Sequence, residues 1–113
     1  MAIAVPATRA ALAGAYVALG AYISLHTADP GTTGTNEATG GSPAYARKQT
    51  TWSGTTDTRT GSEVTIDVPS GTYTFAGIWS AVTAGTFVDK IAITSTTLSA
   101  QGQIKVTPSY VQS

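Results

Sequence analysis

The spacing of apolar residues changes at Ala21. Ahead of it, Pro6 to about Leu19 reads as a helix, with proline at a favoured first position and Gly20 as a stop. Ala10, Gly14 and Ala18 recur every four residues, so one helical face is nearly bare backbone and suits close approach to a neighbour. Leu12, Tyr16 and Leu19 mark a second face, with Arg9 in line. Beyond Ala21 the period falls to two, the spacing of strands with one buried face. Tyr22 to His26 sets Ile23 and Leu25 on one side, and Tyr45 to Trp52 is a second strand candidate. Val64, Ile66 and Val68 alternate with Thr65 and Asp67. Tyr73, Phe75 and Trp79 are expected to share a face, as are Phe87, Ile91 and Ile93, with Asp89 interrupting. Ile104 and Val106 point together, and Tyr110 and Val111 extend or close the sheet.

Between these runs, Thr27 to Pro43 has no period and is rich in glycine and proline, so it reads as a loop, longer than most connections. Gly54 to Gly61 reads as a polar turn region. Pro69-Ser70-Gly71, Ala84-Gly85 and Ala100-Gln101-Gly102 are short turn signals. About six strands joined in this way, after one short helix, predict a mainly β fold: an antiparallel sandwich or barrel in a single domain, residues 1–113. No internal repeat, heptad run or collagen-like period appears, so the chain does not read as a fibre shaft by itself.

Composition adds one thing to this picture. Charged residues make up 11% of the chain, against an average of about 25%, and threonine, serine and glycine supply the polarity instead. Such a surface suits β-structure and suits being covered by another protein, where buried charge is costly. The basic residues Arg9, Arg47, Lys48, Arg59, Lys90 and Lys105 are dispersed and cancelled by the acidic ones. Nucleic-acid binding needs clustered phosphate contacts and a membrane surface needs a basic amphipathic helix, so neither partner is expected. The uncharged stretch Ala10 to Leu25 is shorter than the roughly 20 residues of a spanning helix and reads as packed. Cysteine is absent, which removes disulfides and thiolate metal sites.

Candidate chemistry is sparse. His26 is the sole histidine, no serine lies in a Gly-x-Ser-x-Gly turn, and the imidazole at a strand end reads as a hydrogen-bonded structural group. One histidine also argues against catalytic zinc. Among the carboxylates, Asp29 precedes Pro30-Gly31, where it caps local amides. Asp29, Asn36 and Glu37 lack the ligand density of a calcium loop. Gly40-Gly41 is followed by Ser-Pro rather than by a helix carrying lysine. No catalytic residue, cofactor or metal is expected. Trp79 alternates in step with Phe75 and reads as core, whereas Trp52 is open to a sugar-stacking role.

The stretch Ser24 to Trp52 reads SLHTADPGTTGTNEATGGSPAYARKQTTW. It resembles a family of short tailed-bacteriophage virion proteins with the signature LHTADPG, then NE, then GGSYAR, described variously as head decoration, minor capsid or tail fibre proteins. Phe75 to Thr94, FAGIWSAVTAGTFVDKIAIT, is similar to the family's Gly-aromatic-Trp strand and Gly-Thr-Phe hairpin. This chain departs by inserting Pro43-Ala44 before Tyr45-Ala46-Arg47 and by carrying Ala38 where a larger apolar residue is expected.

The resemblance implies a virion protein, assembled in the host cytoplasm. Shortness, neutrality, the lack of repeats and an end at Ser113 without an anchor point from there to a capsid decoration or minor capsid protein. Such a protein stabilises the major capsid protein lattice by binding only its assembled state. The expected contacts are Tyr45, Arg47 and Lys48 on the loop, and the apolar leader Met1 to Val5, notably Ile3 and Val5, adding to a neighbour's sheet. Self-association as trimers at lattice threefold points follows by analogy. The alternative is a tail-associated or receptor-binding module with Trp52 or Tyr110 in a glycan groove.

Overall fold

The computed structural model describes residues 2–113, so Met1 of the expected contact leader lies outside the described residues. One helix, α1 (Pro6–Ala18), precedes nine strands: β1 (Tyr22–His26), β2 (Lys48–Gln49), β3 (Trp52–Ser53), β4 (Thr58–Gly61), β5 (Val64–Val68), β6 (Gly71–Trp79), β7 (Phe87–Leu98), β8 (Gly102–Val106) and β9 (Ser109–Val111). All pairings are antiparallel, in a four-stranded sheet β2-β1-β6-β7, a three-stranded sheet β3-β4-β9 and the ribbon β5-β8. The fold is mainly β and sandwich-like, with the single N-terminal helix that the proline and glycine signals mark out.

Alternation builds the core. Val64, Ile66 and Val68 of β5 are buried against Ile23 and Leu25 of β1 and Tyr73 and Ala76 of β6, with Ile104 and Val106 of β8 packed alongside. Strand β1 runs between β2 and β6, and its second face, Ser24 and His26, is buried as fully as the first. The period-two pattern anticipates one buried face. The loop after β1 covers the other.

Three expectations about the strands change. The run Tyr45 to Trp52 is not one strand. It contains β2 and β3, which belong to different sheets. Between them Thr50 is buried, its amide donating to the Ala21 carbonyl and its hydroxyl to that of Ser62 at 2.7 Å. The polar region Gly54 to Gly61 contains β4, paired through Thr58, Arg59 and Thr60 with β9. Tyr73 and Trp79 lie on opposite faces, because a register shift between Tyr73 and Phe75 reverses the alternation. Tyr73 and Ala76 enter the main core, whereas Phe75, Gly77 and Trp79 align across β1 with His26, Ser24 and Tyr22. A second shift brings Phe87 opposite Trp79 and away from Ile91.

The expected bare face of α1 packs only in part: Ala10 and Gly14 lie against Arg59, whereas Ala18 is exposed. Ala13 is fully buried, and a Cβ on Gly14 would lie 3.3 Å from the Arg59 guanidinium, which donates to the Ala10 carbonyl. Arg9 pairs with Asp57 at 3.0 Å and also donates to the Ile3 carbonyl. The expected second face divides. Tyr16 turns inward to stack on Tyr110 at 3.6 Å and donates to Asp89 at 2.6 Å, whereas Leu12 and Leu19 face outward. Among the described residues, no helix is long and apolar enough to cross a membrane.

Candidate functional site

The signature loop leaves β1 at Thr27 and returns beside it. The Thr27 amide donates to the Asn36 carbonyl, Ala38 to that of Leu25, and His26 and Glu37 form a β-bridge. Asp29 Oδ1 accepts the Gly31 amide at 2.8 Å, the local cap expected before Pro30-Gly31. That carboxylate is held below its usual range by hydrogen bonds from Lys90 and then from Gly31. Gly34 has a φ of 78°, and a Cβ there would lie 2.3 Å from the Trp79 ring, so the bend admits glycine alone. The return path places Glu37 over the sheet.

Glu37 meets two side chains from the far end of the loop. Its Oε2 accepts from the Tyr45 hydroxyl at 2.7 Å and from Arg47 Nε at 2.8 Å, and Oε1 accepts from Arg47 Nη2 at 2.9 Å. Arg47 Nη1 donates to the carbonyls of Ala81 and Ala84, at 3.1 and 2.8 Å, and the guanidinium lies 3.6 Å from the centre of the Trp79 ring. The arginine thus joins the loop, the turn after β6 and the second face of the sheet. Burial pushes the Glu37 carboxyl up, but the hydrogen bonds from Arg47 and Tyr45 outweigh it and hold it below the usual range. The Tyr45 hydroxyl is pushed up by burial and by Glu37, and it also accepts the Leu25 amide.

Two of the expected contact residues are engaged within the chain. Arg47 is only 9% exposed, and its donors and ring face are taken up within the chain. Tyr45 is half-buried with its hydroxyl doubly bonded. Both clamp the loop to the rest of the chain. Lys48 is exposed on the edge strand β2, Val5 is exposed ahead of α1, and Ile3 is half-buried. Glu37, Trp79 and Ser24 complete the cluster. No periodic or spaced signal in the sequence joins them.

Beneath the clamp runs a second chain of hydrogen bonds. Trp79 Nε1 donates to Ser24 Oγ at 3.0 Å, Ser24 Oγ lies 2.7 Å from His26 Nε2, and His26 Nδ1 lies 2.8 Å from the Thr35 carbonyl. The Thr35 carbonyl only accepts, so Nδ1 carries a proton; in the neutral imidazole Nε2 then accepts from the serine hydroxyl, which itself accepts the indole N–H. Burial holds the imidazole's pKa below the usual value, against the Thr35 carbonyl and Glu37, which favour the cation; Arg47 opposes it. The serine–histidine distance is that of a nucleophile and its base, but neither side chain has any exposure and the third partner is a carbonyl. A Cβ on Gly77 would come within 2.6 Å of Ser24 Oγ, so the space around the pair is closed.

The two tryptophans do not form one platform. Trp79 is buried, and Trp52 is half-buried with its indole donating to the Gly20 carbonyl at 3.0 Å. Tyr110 and Tyr16 line a groove of about 340 Å³, together with Asp89, Ile91 and Ile93. Among the described residues, no three histidine, cysteine, aspartate or glutamate side chains gather to hold a metal ion.

The family model described as Gp80, podophage GP4 fiber I protein gp80, matches residues 10–112. The match runs from the first turns of α1 past β9 and includes Glu37, Tyr45, Arg47 and Trp79. No curated protein and no solved structure matches the chain.

Proposed function

The chain belongs to the podophage GP4 fiber I protein gp80 family, and from that premise we propose that it forms part of a tail fibre and presents the clamped loop as a rigid surface. It is a phage virion component. The capsid-decoration reading rested on shortness, neutrality and missing repeats, and none of these distinguishes head from tail. The family description, a fiber protein, carries the change.

The loop supports a presenting role. Its exposed tips, Gly31 to Thr33 and Thr39 to Ala44, carry no charge. Gln101 ties the second tip to the β7–β8 turn by accepting the Ser42 amide and donating to the Pro43 carbonyl. A surface fixed before contact loses little conformational entropy when a partner binds. The reading includes no catalytic step, since the serine–histidine pair is sealed beneath the loop. Separation of disrupted particles into heads and tails, followed by quantitative mass spectrometry, tests the assignment. The chain is expected to travel with tails. Recovery with heads, at a copy number comparable to the major capsid protein, would contradict it.

A glycan-binding reading is favoured by one observation, the groove in which Tyr110 and the Asp89 carboxylate share a wall. Under this reading Tyr110→Ala abolishes binding to host surface polysaccharide. Equal binding by the variant would dismiss it.

A further inference from the structure

We propose that the groove between β7 and the β8–β9 side is a docking slot for an extended segment of another virion protein, which adds to the fold as a further strand. Strands β7 and β8 are consecutive and joined by a short turn, yet they do not pair with each other; β7 bonds to β6 and β8 to β5. They meet at the turn, where a Cβ on Gly102 would lie 3.2 Å from Leu98 Cδ1, and they enclose the groove farther along. One wall is Asp89, Ile91 and Ile93 of β7, and the other runs from Val106 of β8 to Tyr110 of β9. Tyr16 joins the two walls, donating to Asp89 at 2.6 Å and stacking on Tyr110 at 3.6 Å. The inference rests on the chain being a virion component and not on its position in the particle.

Backbone, apolar surface and charge together specify the occupant. Strands β7, β8 and β9 each end their sheet, so the sides of the groove present outward N–H and C=O groups without a ladder partner among the described residues. Between its two register shifts β7 is regular from Asp89 to Ala92. Four residues span roughly 13 Å, enough to bond a short added strand. Ile91 stands opposite Ala76, so both point to the core side of the sheet, yet Ala76 is 3% exposed and Ile91 65%. The second layer stops short of β7, and an apolar side chain from an added strand completes it. Lys90, on the other face of β7, is turned to Asp29 at 2.6 Å. Asp89 is left facing the groove, and among the described residues no cation pairs with it. The segment is therefore apolar at alternate positions and carries a lysine or arginine where it passes Asp89. A polysaccharide has no backbone amides to continue the ladder and no apolar side chain to cover Ile91.

The full chain, applied to short overlapping peptides that cover the other proteins of the particle, is expected to bind a small set sharing this pattern. Scrambled versions of those peptides should bind on the order of tenfold more weakly. Ile91→Lys, at an exposed position, should keep the wild-type thermal midpoint and weaken binding on the order of tenfold or more, since it sets a charge on the apolar wall. Asp89→Asn, which still accepts from Tyr16, should bind a peptide and its lysine-to-glutamine version alike, where the wild type prefers the lysine. Amide hydrogen exchange reads the added ladder directly. The outward amides of Asp89 to Ala92 should exchange on the order of tenfold more slowly with the peptide bound, while those of β5 stay unchanged. Equal binding of scrambled peptides, binding unchanged by Ile91→Lys, or unprotected β7 amides would overturn the proposal. Capture of host polysaccharide that Ile91→Lys abolishes, with no peptide bound, would overturn it and give the groove to a glycan. A wild-type oligomer that Ile91→Lys dissociates would overturn it in favour of a second copy of the chain.

Discussion

Arg47 makes four hydrogen bonds, two to Glu37 and one each to the carbonyls of Ala81 and Ala84. Its truncation leaves the Glu37 carboxylate, 20% exposed, without its cation, and strands two carbonyls. Breaking one side of such a pair costs roughly 3–5 kcal/mol. Arg47→Ala should therefore lose about 3 kcal/mol in denaturant unfolding. Arg47→Lys should recover only part of it, since an ammonium cannot match the two-pronged contact. A loss below about 1 kcal/mol would place the clamp among ordinary surface pairs. Acid should loosen the site in two stages. His26 binds its proton less readily folded than unfolded, so stability is full above about 6.5 and falls as pH drops from there toward the lowered folded value. Glu37, also lowered, adds stability that is full above about 4.5 and is lost as pH falls through its folded value. Thermal midpoints of wild type and His26→Gln, compared from pH 7 to 5, check the first stage; parallel curves would contradict it. The structural role of His26 was legible from its solitary place at a strand end. The burial of Arg47 was not, because Glu37 lies across a glycine-rich stretch where no period links the two.

At the scale of elements, the loop from Thr27 to Ala46 depends on a few close approaches. Gly34 combines a left-handed backbone with direct contact on the Trp79 ring. Gly34→Ala should cost at least about 2 kcal/mol, from backbone strain and overpacking together. It should also speed proteolytic cleavage within residues 27–46 while β5 and β8 stay resistant. An unchanged cleavage rate would mean that the loop is held elsewhere. Elements whose apolar residues alternate without interruption, β1, β5 and β8, were readable from the sequence, as was α1 between Pro6 and Gly20. Strand β4 was not, since Thr58-Arg59-Thr60 has no apolar member and its pairing with β9 crosses half the chain. The shifted register in β6 was equally silent. A bulge leaves no mark in the sequence, yet it moved Tyr73 and Trp79 to opposite faces.

As a whole the molecule is elongated, 48 × 24 × 24 Å with a radius of gyration of 14.7 Å, against about 13 Å for a compact chain of this length. Its exposed large apolar residues include Leu12 on α1, Leu19 just after it, Ile91 on β7 and Val111 on β9. The low charge content suits a surface covered by another protein, where buried charge is costly. Neutrality and length could not distinguish head from tail, because both settings ask the same thing of a surface. The most direct test is a cryo-electron microscopy reconstruction of the intact particle. The account predicts density for this 48 Å body in the tail. Copies arrayed over the capsid lattice, with none at the tail, would contradict it.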